Sequence, residues 1–272
     1  MNTEAEAEAE AAEAKAGIEG TDSAPDWARE SGKQYPLIEA FTTIQGEGPL
    51  TGTRSHFMRF GGCPRRCSWC DSLKAVLPEE IKKNRTLMTM TQLIRKLDYL
   101  HQRQRAYWLT LTGGDPCMWD LSELVAAAQE LRRSIRVNVE TQGDLEKPFL
   151  YKATHVTLSP KAPSAGPDEA PPNTTLIKDI IKSRMEYCTT VKIVVFDEED
   201  YAWAADYIMT LRGDVRKRFK AYLNAGTPAG APGDHQAVIQ RLQWLAHKML
   251  ADPRMSNDII IGHQLHTFMG VD

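Results

Sequence analysis

Three cysteines lie close together in the run Gly-Gly-Cys-Pro-Arg-Arg-Cys-Ser-Trp-Cys-Asp, at Cys63, Cys67 and Cys70. Most iron–sulfur clusters are held by four cysteine thiolates, and no fourth cysteine lies near this run. Three thiolates on one short loop can bind three irons of a four-iron cluster and leave the fourth iron open. The spacing therefore predicts a 4Fe–4S cluster in which these three cysteines are both the metal ligands and the catalytic residues.

An open iron is what the reductive cleavage of S-adenosylmethionine (SAM) requires, because the amino-acid end of SAM can chelate it. The alternative is a structural zinc knuckle, in which tetrahedral zinc takes four ligands, usually from two Cys or His pairs. His56 and His101 are the nearest other candidates, and neither forms a second pair at that spacing. We therefore favour the cluster.

The charge of the chain is unevenly distributed. Residues 1–15 contain five Glu and one Lys, while the formal net charge of all 272 residues is only -3. The remainder is close to neutral, which argues against a nucleic-acid partner. We predict a disordered acidic Glu/Ala tail over residues 1–33 and one catalytic domain over residues 34–272.

Nothing in the sequence predicts membrane attachment or secretion. The mean hydropathy is -0.42, no apolar run is long enough for a membrane span, and the first residues lack the basic and apolar regions of a signal peptide. Clustered thiolates are typical of a reducing compartment. We expect a cytoplasmic protein with no membrane partner.

Short apolar strands alternate with amphipathic helices from Leu37 onward, which predicts a parallel sheet. The predicted strands are Ser55–Phe60, Tyr107–Thr112, Arg136–Glu140, His155–Ser159, Val191–Phe196, Lys220–Leu223 and Ile259–Ile261. About six strand–helix units favour an α/β fold of the incomplete (β/α)6 type, a partial TIM barrel. Two proline- and glycine-containing stretches, Ser159–Asn173 and Gly226–Gly233, are predicted as exposed insertions.

Polar or glycine-rich motifs follow these strands at the same end. They are the cysteine loop, Thr-Gly-Gly-Asp-Pro from Thr112, Glu-Thr-Gln-Gly from Glu140, Ser-Pro-Lys from Ser159 and Asn-Ala-Gly-Thr-Pro from Asn224. Sites in parallel barrels lie at the carboxyl ends of the strands. The sequence therefore predicts one site that all these motifs share.

In these motifs the chain resembles the radical SAM superfamily and, within it, the 7-carboxy-7-deazaguanine synthase family. The resemblance adds the run Ile-Gln-Gly-Glu-Gly-Pro from Ile44, the run Arg-Phe-Gly-Gly before Cys63, and a terminal Gln-Leu-His from Gln264. It covers about residue 35 to the end. It implies a radical SAM core and a lyase that converts 6-carboxy-5,6,7,8-tetrahydropterin to 7-carboxy-7-deazaguanine with loss of ammonia, in queuosine-type 7-deazapurine biosynthesis.

The resemblance implies that SAM binds at the strand ends and the cysteine loop. The implied residues are Trp69, Cys70, Asp71, Gly113, Gly114, Asp115, Glu140, Ser159, Lys161 and Asn224. The two glycines would let the backbone approach the SAM amino group, which Asp115 would orient. Asp115 stands where the family usually has Glu, and Gln142 stands where it usually has Asn.

The substrate-binding residues implied by the resemblance surround the pterin. They are Ile44, Gln45, Gly46, Glu47, Arg59, Thr112, His266 and Asp272. Arg59 would bind the pterin carboxylate through its guanidinium fork, and Gln45 offers both a donor and an acceptor to the pterin edge. Ser72 stands where the family presents Thr to Mg²⁺, and it keeps the hydroxyl ligand.

The family also implies an external one-electron donor, such as a flavodoxin, and a homodimer. Two other readings compete with it. A radical SAM activase of a glycyl-radical enzyme would act on a protein partner, and the terminal Gln-Leu-His and Arg59 argue against it. A non-enzymatic cysteine-knuckle metal-binding module conflicts with the near-neutral body and the series of strand-end motifs.

Overall fold

Nine strands form a single sheet in the computed structural model, which describes residues 32–130, 135–216, 218–227 and 235–270. The strands are β1 (Tyr35–Ile44), β2 (Arg54–Phe60), β3 (Thr86–Met88), β4 (Trp108–Gly113), β5 (Arg136–Thr141), β6 (His155–Leu158), β7 (Thr189–Val195), β8 (Lys220–Ala225) and β9 (Ile259–Gly262). Their order in the sheet is β3-β1-β2-β4-β5-β6-β7-β8-β9. The strands β2 and β4 to β9 run parallel, whereas β1 pairs antiparallel with both β2 and β3.

Most helices of the described residues connect successive strands, and the last one follows β9. They are α1 (Pro78–Asn84), α2 (Met90–Arg103), α3 (Ser122–Glu130), α4 (Thr174–Ser183), α5 (Glu198–Val215), α6 (His235–Ala251) and α7 (Leu265–Met269). Helix α2 begins at a capping box, because Thr89 and Gln92 each bond the other's backbone N–H. Leu93 and Leu97 on its apolar face are fully buried, and burial of each such side chain stabilises the fold by about 2 kcal/mol.

The parallel strands have an apolar face and a polar face. Residues 109 and 111 of β4, 137 and 139 of β5, and 191 and 193 of β7 belong to the hydrophobic core. The alternate positions carry buried polar side chains that bond between strands, such as Ser55 to Thr110 at 2.9 Å and His155 to Thr190 at 3.0 Å. Successive side chains of a strand point to opposite faces of the sheet, so the polar face is continuous with the polar residues at the strand ends.

The partial barrel is confirmed, and its sheet is open because β3 and β9 form its two edges. All seven predicted strands are present, but β1 and β3 were not predicted. The segment of β1 includes Pro36 and Glu39, and its outer half is only half-buried, so it lacks the continuous apolar run that buried parallel strands show. Nearly all of the predicted acidic tail lies outside the described residues.

None of the described helices is long and apolar enough to cross a membrane.

Two buried histidines predict how the stability of the protein depends on pH. Burial lowers the pKa of His56 and of His155 to about 4, with smaller contributions from neighbouring positive groups. Both rings are therefore neutral in the fold, while the unfolded chain takes up protons below its ordinary histidine pKa of 6.5. The free energy of unfolding should fall as the pH drops from 6.5 towards 4, by at most about 1.4 kcal/mol per pH unit and histidine.

Urea unfolding at pH 7.0, 6.0 and 5.0 measures this slope. A His56→Gln variant should have a shallower slope than the wild type, whereas His247→Gln, at an exposed position, should match the wild type. An equal slope in His56→Gln would contradict the prediction.

Candidate active site

The cysteine loop begins directly after β2 and lines a cavity of about 220 Å³ at the carboxyl ends of the strands. Cys63 is buried, and Cys67 and Cys70 are half-buried. Burial raises the pKa of all three thiols, that of Cys63 to about 11. Such thiols ionise when a bound cation offsets the loss of solvation, so metal binding would release their protons.

Part of the segment Ser159–Asn173, which was predicted to be an exposed insertion, packs on the cysteine loop. Within residues 162–173, the carbonyl of Ala165 accepts a hydrogen bond from the Ser68 backbone N–H at 2.8 Å. The Arg65 guanidinium, itself buried, donates to the carbonyl of Ala170 at 2.7 Å. The prediction of an exposed insertion therefore holds only in part, because Asp168 and Asn173 are exposed, whereas backbone carbonyls of the segment bond the cysteine loop.

Arg59, near the end of β2, is held from two sides. Its Nε donates to Glu39 at 3.0 Å, and its Nη1 donates to the Ser72 hydroxyl at 3.0 Å. The Ser72 hydroxyl donates to Asp71 at 3.1 Å, and Gln264 donates to the same carboxylate at 2.9 Å. Burial alone would raise the pKa of Asp71, but these hydrogen bonds and the Arg59 charge lower it.

A buried lysine on β7 joins two carboxylates in the cavity. Lys192 bonds Glu47 directly, and its Nζ lies 4.0 Å from Glu140. Gln45 donates from Nε2 to Glu140 at 2.8 Å. Burial alone would lower the pKa of Lys192, but the two carboxylates raise it well above its ordinary value. Burial raises the pKa of Glu140, and Lys192 opposes that shift. The lysine is therefore cationic.

The two glycines at the end of β4 are required by packing. Gly113 has φ +155°, and a Cβ there would overlap the carbonyl oxygen of Phe60. A Cβ on Gly114 would overlap the carbonyl oxygens of Gly62 and Ala75. No side chain fits at these positions, so the strand end can lie directly against the cysteine loop.

On the other side of the cysteine loop, Trp69 packs against Phe196 with 5.4 Å between ring centroids. The Lys161 ammonium lies 5.5 Å from the Trp69 ring centroid and donates to the Ser159 hydroxyl at 3.1 Å. Burial lowers the pKa of Lys161, and the cysteine thiols Cys67 and Cys63 oppose that effect. The Lys161 side chain thus lies within electrostatic range of the cysteine sulfurs.

Helix α7 and the residue before it line one side of the cavity through His266 and Gln264. The Leu265 backbone N–H donates to the Gly46 carbonyl at 2.9 Å, and a Cβ on Gly46 would overlap the imidazole of His266. Helix α7 therefore packs on the run that precedes β2, a contact that sequence analysis did not predict. Asp272, the other predicted C-terminal substrate ligand, lies outside the described residues.

The chain matches known proteins over most of its length. The model of the radical SAM superfamily matches residues 58–201, more than half of the chain. The chain is 30% identical over 250 residues to a 7-carboxy-7-deazaguanine synthase of Bacillus subtilis (strain 168), which covers 87% of this chain and 96% of that protein.

The chain belongs to the 7-carboxy-7-deazaguanine synthase family of the radical SAM superfamily.

Further comparisons agree with this family. A 7-carboxy-7-deazaguanine synthase of Bacillus cereus is 27% identical over 253 residues, which cover 87% of this chain and 96% of that protein. The crystal structure of QueE from Escherichia coli has a TM-score of 0.59 with 21% identity and covers 90% of this chain and 100% of that chain. The two proteins share the fold.

Membership of the radical SAM superfamily implies a 4Fe–4S cluster and SAM, and the cysteine loop fits them better than it fits zinc. His56 is bonded to Thr42 at 2.7 Å and to His101 at 3.3 Å, so neither histidine is available as a fourth zinc ligand. Within the described ranges, no three His, Cys, Asp or Glu side chains converge on one metal position. Cluster ligands need no such convergence, because each thiolate binds a different iron.

Most predicted site residues of this radical SAM protein lie together. Every one within the described residues lines the same cavity except Asp115. Asp115 is fully buried, and its carboxylate accepts hydrogen bonds from the Cys117 backbone at 2.8 Å, the Thr141 hydroxyl at 2.9 Å and the Gln142 backbone at 3.2 Å. Burial raises its pKa to about 6. The prediction that Asp115 orients the SAM amino group does not match this geometry, because the short side chain is turned towards the backbone.

Asn224 lines the cavity beside β8, as predicted for a SAM ligand. It is 2% exposed, and neither amide atom has a partner among the described residues. Both atoms thus lack the hydrogen-bond partners that buried amides usually have.

Sequence analysis missed Lys192 and the contact of Gln264 with Asp71. The signal for Lys192 was a single charge in the otherwise apolar and threonine-rich strand Thr-Thr-Val-Lys-Ile-Val-Val. A buried, unexplained lysine of this kind indicates a paired carboxylate.

Proposed function

We propose that this chain converts 6-carboxy-5,6,7,8-tetrahydropterin to 7-carboxy-7-deazaguanine with loss of ammonia, as a carbon–nitrogen lyase. The observation that carries the proposal is the pairing of opposite charges in one cavity beside the cysteine loop. Arg59 lines it as a cation for a carboxylate, and Glu47 lines it as an acceptor for a donor-rich edge. The substrate has both features, and the family membership supports the match.

The carboxylate of the pterin is assigned to Arg59. Its contacts with Glu39 and Ser72 fix the plane of the guanidinium before a ligand binds. Preorganised guanidinium–carboxylate pairs give both affinity and orientation. The pterin would thereby be placed with its carboxylate towards β2 and the cysteine loop.

The guanidine-like edge of the pterin is assigned to the opposite side of the cavity. Lys192 keeps Glu47 and Glu140 compensated while both remain acceptors. Gln45, in the run before β2, is 3% exposed and donates to Glu140. Ile44, Thr112 and His266 complete this side, with Asp272 proposed from the resemblance alone.

The cluster and SAM, when bound, supply a carbon-centred radical at the cysteine side of the cavity. The side chains of this chain hold both reactants and exclude water. Phe41, Trp69 and Phe196 line the cavity with apolar surface, which suppresses side reactions of a radical. Lys161 and Asn224 are proposed to contact SAM from β6 and β8.

We further propose that the protein receives electrons from an external one-electron donor such as a flavodoxin, forms a homodimer and is located in the cytoplasm. These rest on the family resemblance and on the clustered thiolates. The product would enter queuosine-type 7-deazapurine synthesis.

An Arg59→Gln variant tests the assignment of the substrate. Loss of a charge-assisted hydrogen-bonding pair should raise the KM for the carboxylated tetrahydropterin by about 10- to 100-fold. SAM cleavage without the pterin should change less than about threefold. Arg95→Gln, at an exposed position on α2, is the control and should match the wild type. An unchanged KM in Arg59→Gln would remove the carboxylate assignment.

Mg²⁺ is proposed to bind at Ser72 together with substrate oxygens and water. The Ser72 hydroxyl already contacts Arg59 and Asp71, and serine has a less restricted rotamer than the threonine of the family. We expect turnover to depend less steeply on Mg²⁺ in the wild type than in a Ser72→Thr variant. Mg²⁺ titrations of initial rates at saturating substrate measure this, and equal steepness in the two proteins contradicts it.

A further inference from the structure

Gln142, just beyond the end of β5, has a buried amide between the cysteine loop and the cavity. It is 8% exposed and lines the cavity. Its Nε2 donates to the carbonyl of Gly114 at 3.1 Å and lies 3.4 Å from the Cys63 sulfur. Because a carbonyl oxygen can only accept, the contact with Gly114 fixes the orientation of the amide. The nitrogen faces Gly114 and Cys63, and the oxygen faces away from them.

The amide oxygen of Gln142 has no hydrogen-bond partner among the described residues, and it is buried. A buried acceptor without a donor is unfavourable, and native proteins rarely keep one unless a ligand or water satisfies it. The neighbouring carboxylate of Asp115 cannot replace it, because three donors of the protein already occupy that group. The structure therefore holds one unsatisfied acceptor beside the cysteine loop.

We propose that Gln142 binds the amino group of SAM through its amide oxygen while its amide nitrogen donates to the Cys63 thiolate. The amino-acid end of SAM is the part that meets the open iron, and this end must therefore lie near Cys63. Of its two polar groups, only the amino group can donate to an amide oxygen, whereas a carboxylate would be repelled. The inference rests on SAM as cosubstrate and is independent of the pterin.

The second contact of Gln142 has a consequence for the cluster. An N–H that points at a cluster sulfur stabilises the added negative charge on reduction, and hydrogen bonds to the sulfurs tune the potential of such clusters. Cys63 receives one further N–H, from the Arg65 backbone at 3.4 Å. Loss of the Gln142 donor should therefore make the potential of the cluster more negative.

Two variants of the anaerobically reconstituted holoenzyme separate the two contacts. Gln142→Leu removes both polar groups, and Gln142→Glu keeps an acceptor and removes the donor. The dissociation constants of SAM and of its analogue with hydrogen in place of the amino group are measured without pterin. Gln142→Leu should reduce the preference for SAM over this analogue by about tenfold, whereas Gln142→Glu should keep the wild-type preference.

Redox titration followed by electron paramagnetic resonance of the reduced cluster measures the second contact. Both variants should have a more negative potential than the wild type. Gln129→Leu, at an exposed position on α3, should match the wild type in both measurements. A wild-type SAM preference in Gln142→Leu, or a wild-type potential in both variants, would overturn the proposal. Neither measurement involves the pterin, so a failure of the proposed lyase activity would not affect them.

Discussion

Anaerobically reconstituted Cys63→Ala, Cys67→Ala and Cys70→Ala variants should each lose the 4Fe–4S cluster and show no measurable SAM cleavage. Each thiolate would hold a different iron, and no other cysteine of the described residues lines the cavity. A missing ligand would thus leave two irons without protein ligands. Iron and sulfide analysis, the visible spectrum and the yield of 5′-deoxyadenosine measure this.

The matched control is Cys188→Ala. Cys188 is half-buried, lies just before β7 and does not line the cavity. This variant should keep wild-type iron content and cleavage. Full iron content in any of the three loop variants would show that another residue ligates the cluster and would contradict the assignment of the loop.

A Lys192→Met variant should lose about 3–5 kcal/mol of unfolding free energy at pH 8, because two buried carboxylates then lack their cation. The raised pKa of Lys192 keeps it charged at all pH values below its ordinary value of 10.5, so the native protein has the full contribution at neutral pH. In the variant, Glu140, whose pKa is raised by burial, can take up a proton as the pH falls. The loss should therefore be smaller at pH 5 than at pH 8.

Urea unfolding of two further variants checks the cause. Lys192→Met combined with Glu47→Gln should recover part of the lost stability, because one uncompensated carboxylate is gone. Lys178→Met removes a more exposed pair with Asp214 and should cost much less than Lys192→Met, because water screens exposed pairs. If Lys192→Met costs no more than Lys178→Met, the buried ion network does not stabilise the fold as argued.

The sequence was sufficient to predict where the site lies. A parallel sheet brings all strand ends to one edge, so the motifs after β2, β4, β5, β6 and β8 had to meet. The two glycines at the end of β4 could also be predicted to be important from the motif, but the packing contacts that require them could not. That reason lies in the carbonyls of Phe60 and Gly62, which are distant from Gly113 and Gly114 in sequence.

The antiparallel part of the sheet and the buried lysine could not be predicted from local patterns. Strand β1 pairs antiparallel with both β2 and β3, and most of its residues are only half-buried, so its apolar pattern is interrupted. The role of Lys192 depends on Glu47, which is 145 positions away. Pairing over such distances is decided by the assembled sheet.

The orientation of short side chains was the other limit. Asp115 is in the expected position of its motif, but hydrogen bonds to Cys117, Thr141 and Gln142 turn it away from the cavity. The packing of residues 162–173 on the cysteine loop likewise depends on backbone carbonyls. Composition cannot indicate either, because proline-rich sequence is compatible with both a surface loop and a fixed one.

The central claim is that one cavity brings a cysteine-held cluster, SAM and a carboxylated pterin together. The most direct test incubates the wild-type protein, reconstituted without oxygen, with dithionite, SAM, Mg²⁺ and 6-carboxy-5,6,7,8-tetrahydropterin, and identifies the products by mass spectrometry. The account predicts 7-carboxy-7-deazaguanine and release of ammonia. Formation of 5′-deoxyadenosine without the deazaguanine, or a colourless protein that holds zinc and cleaves no SAM, would contradict it.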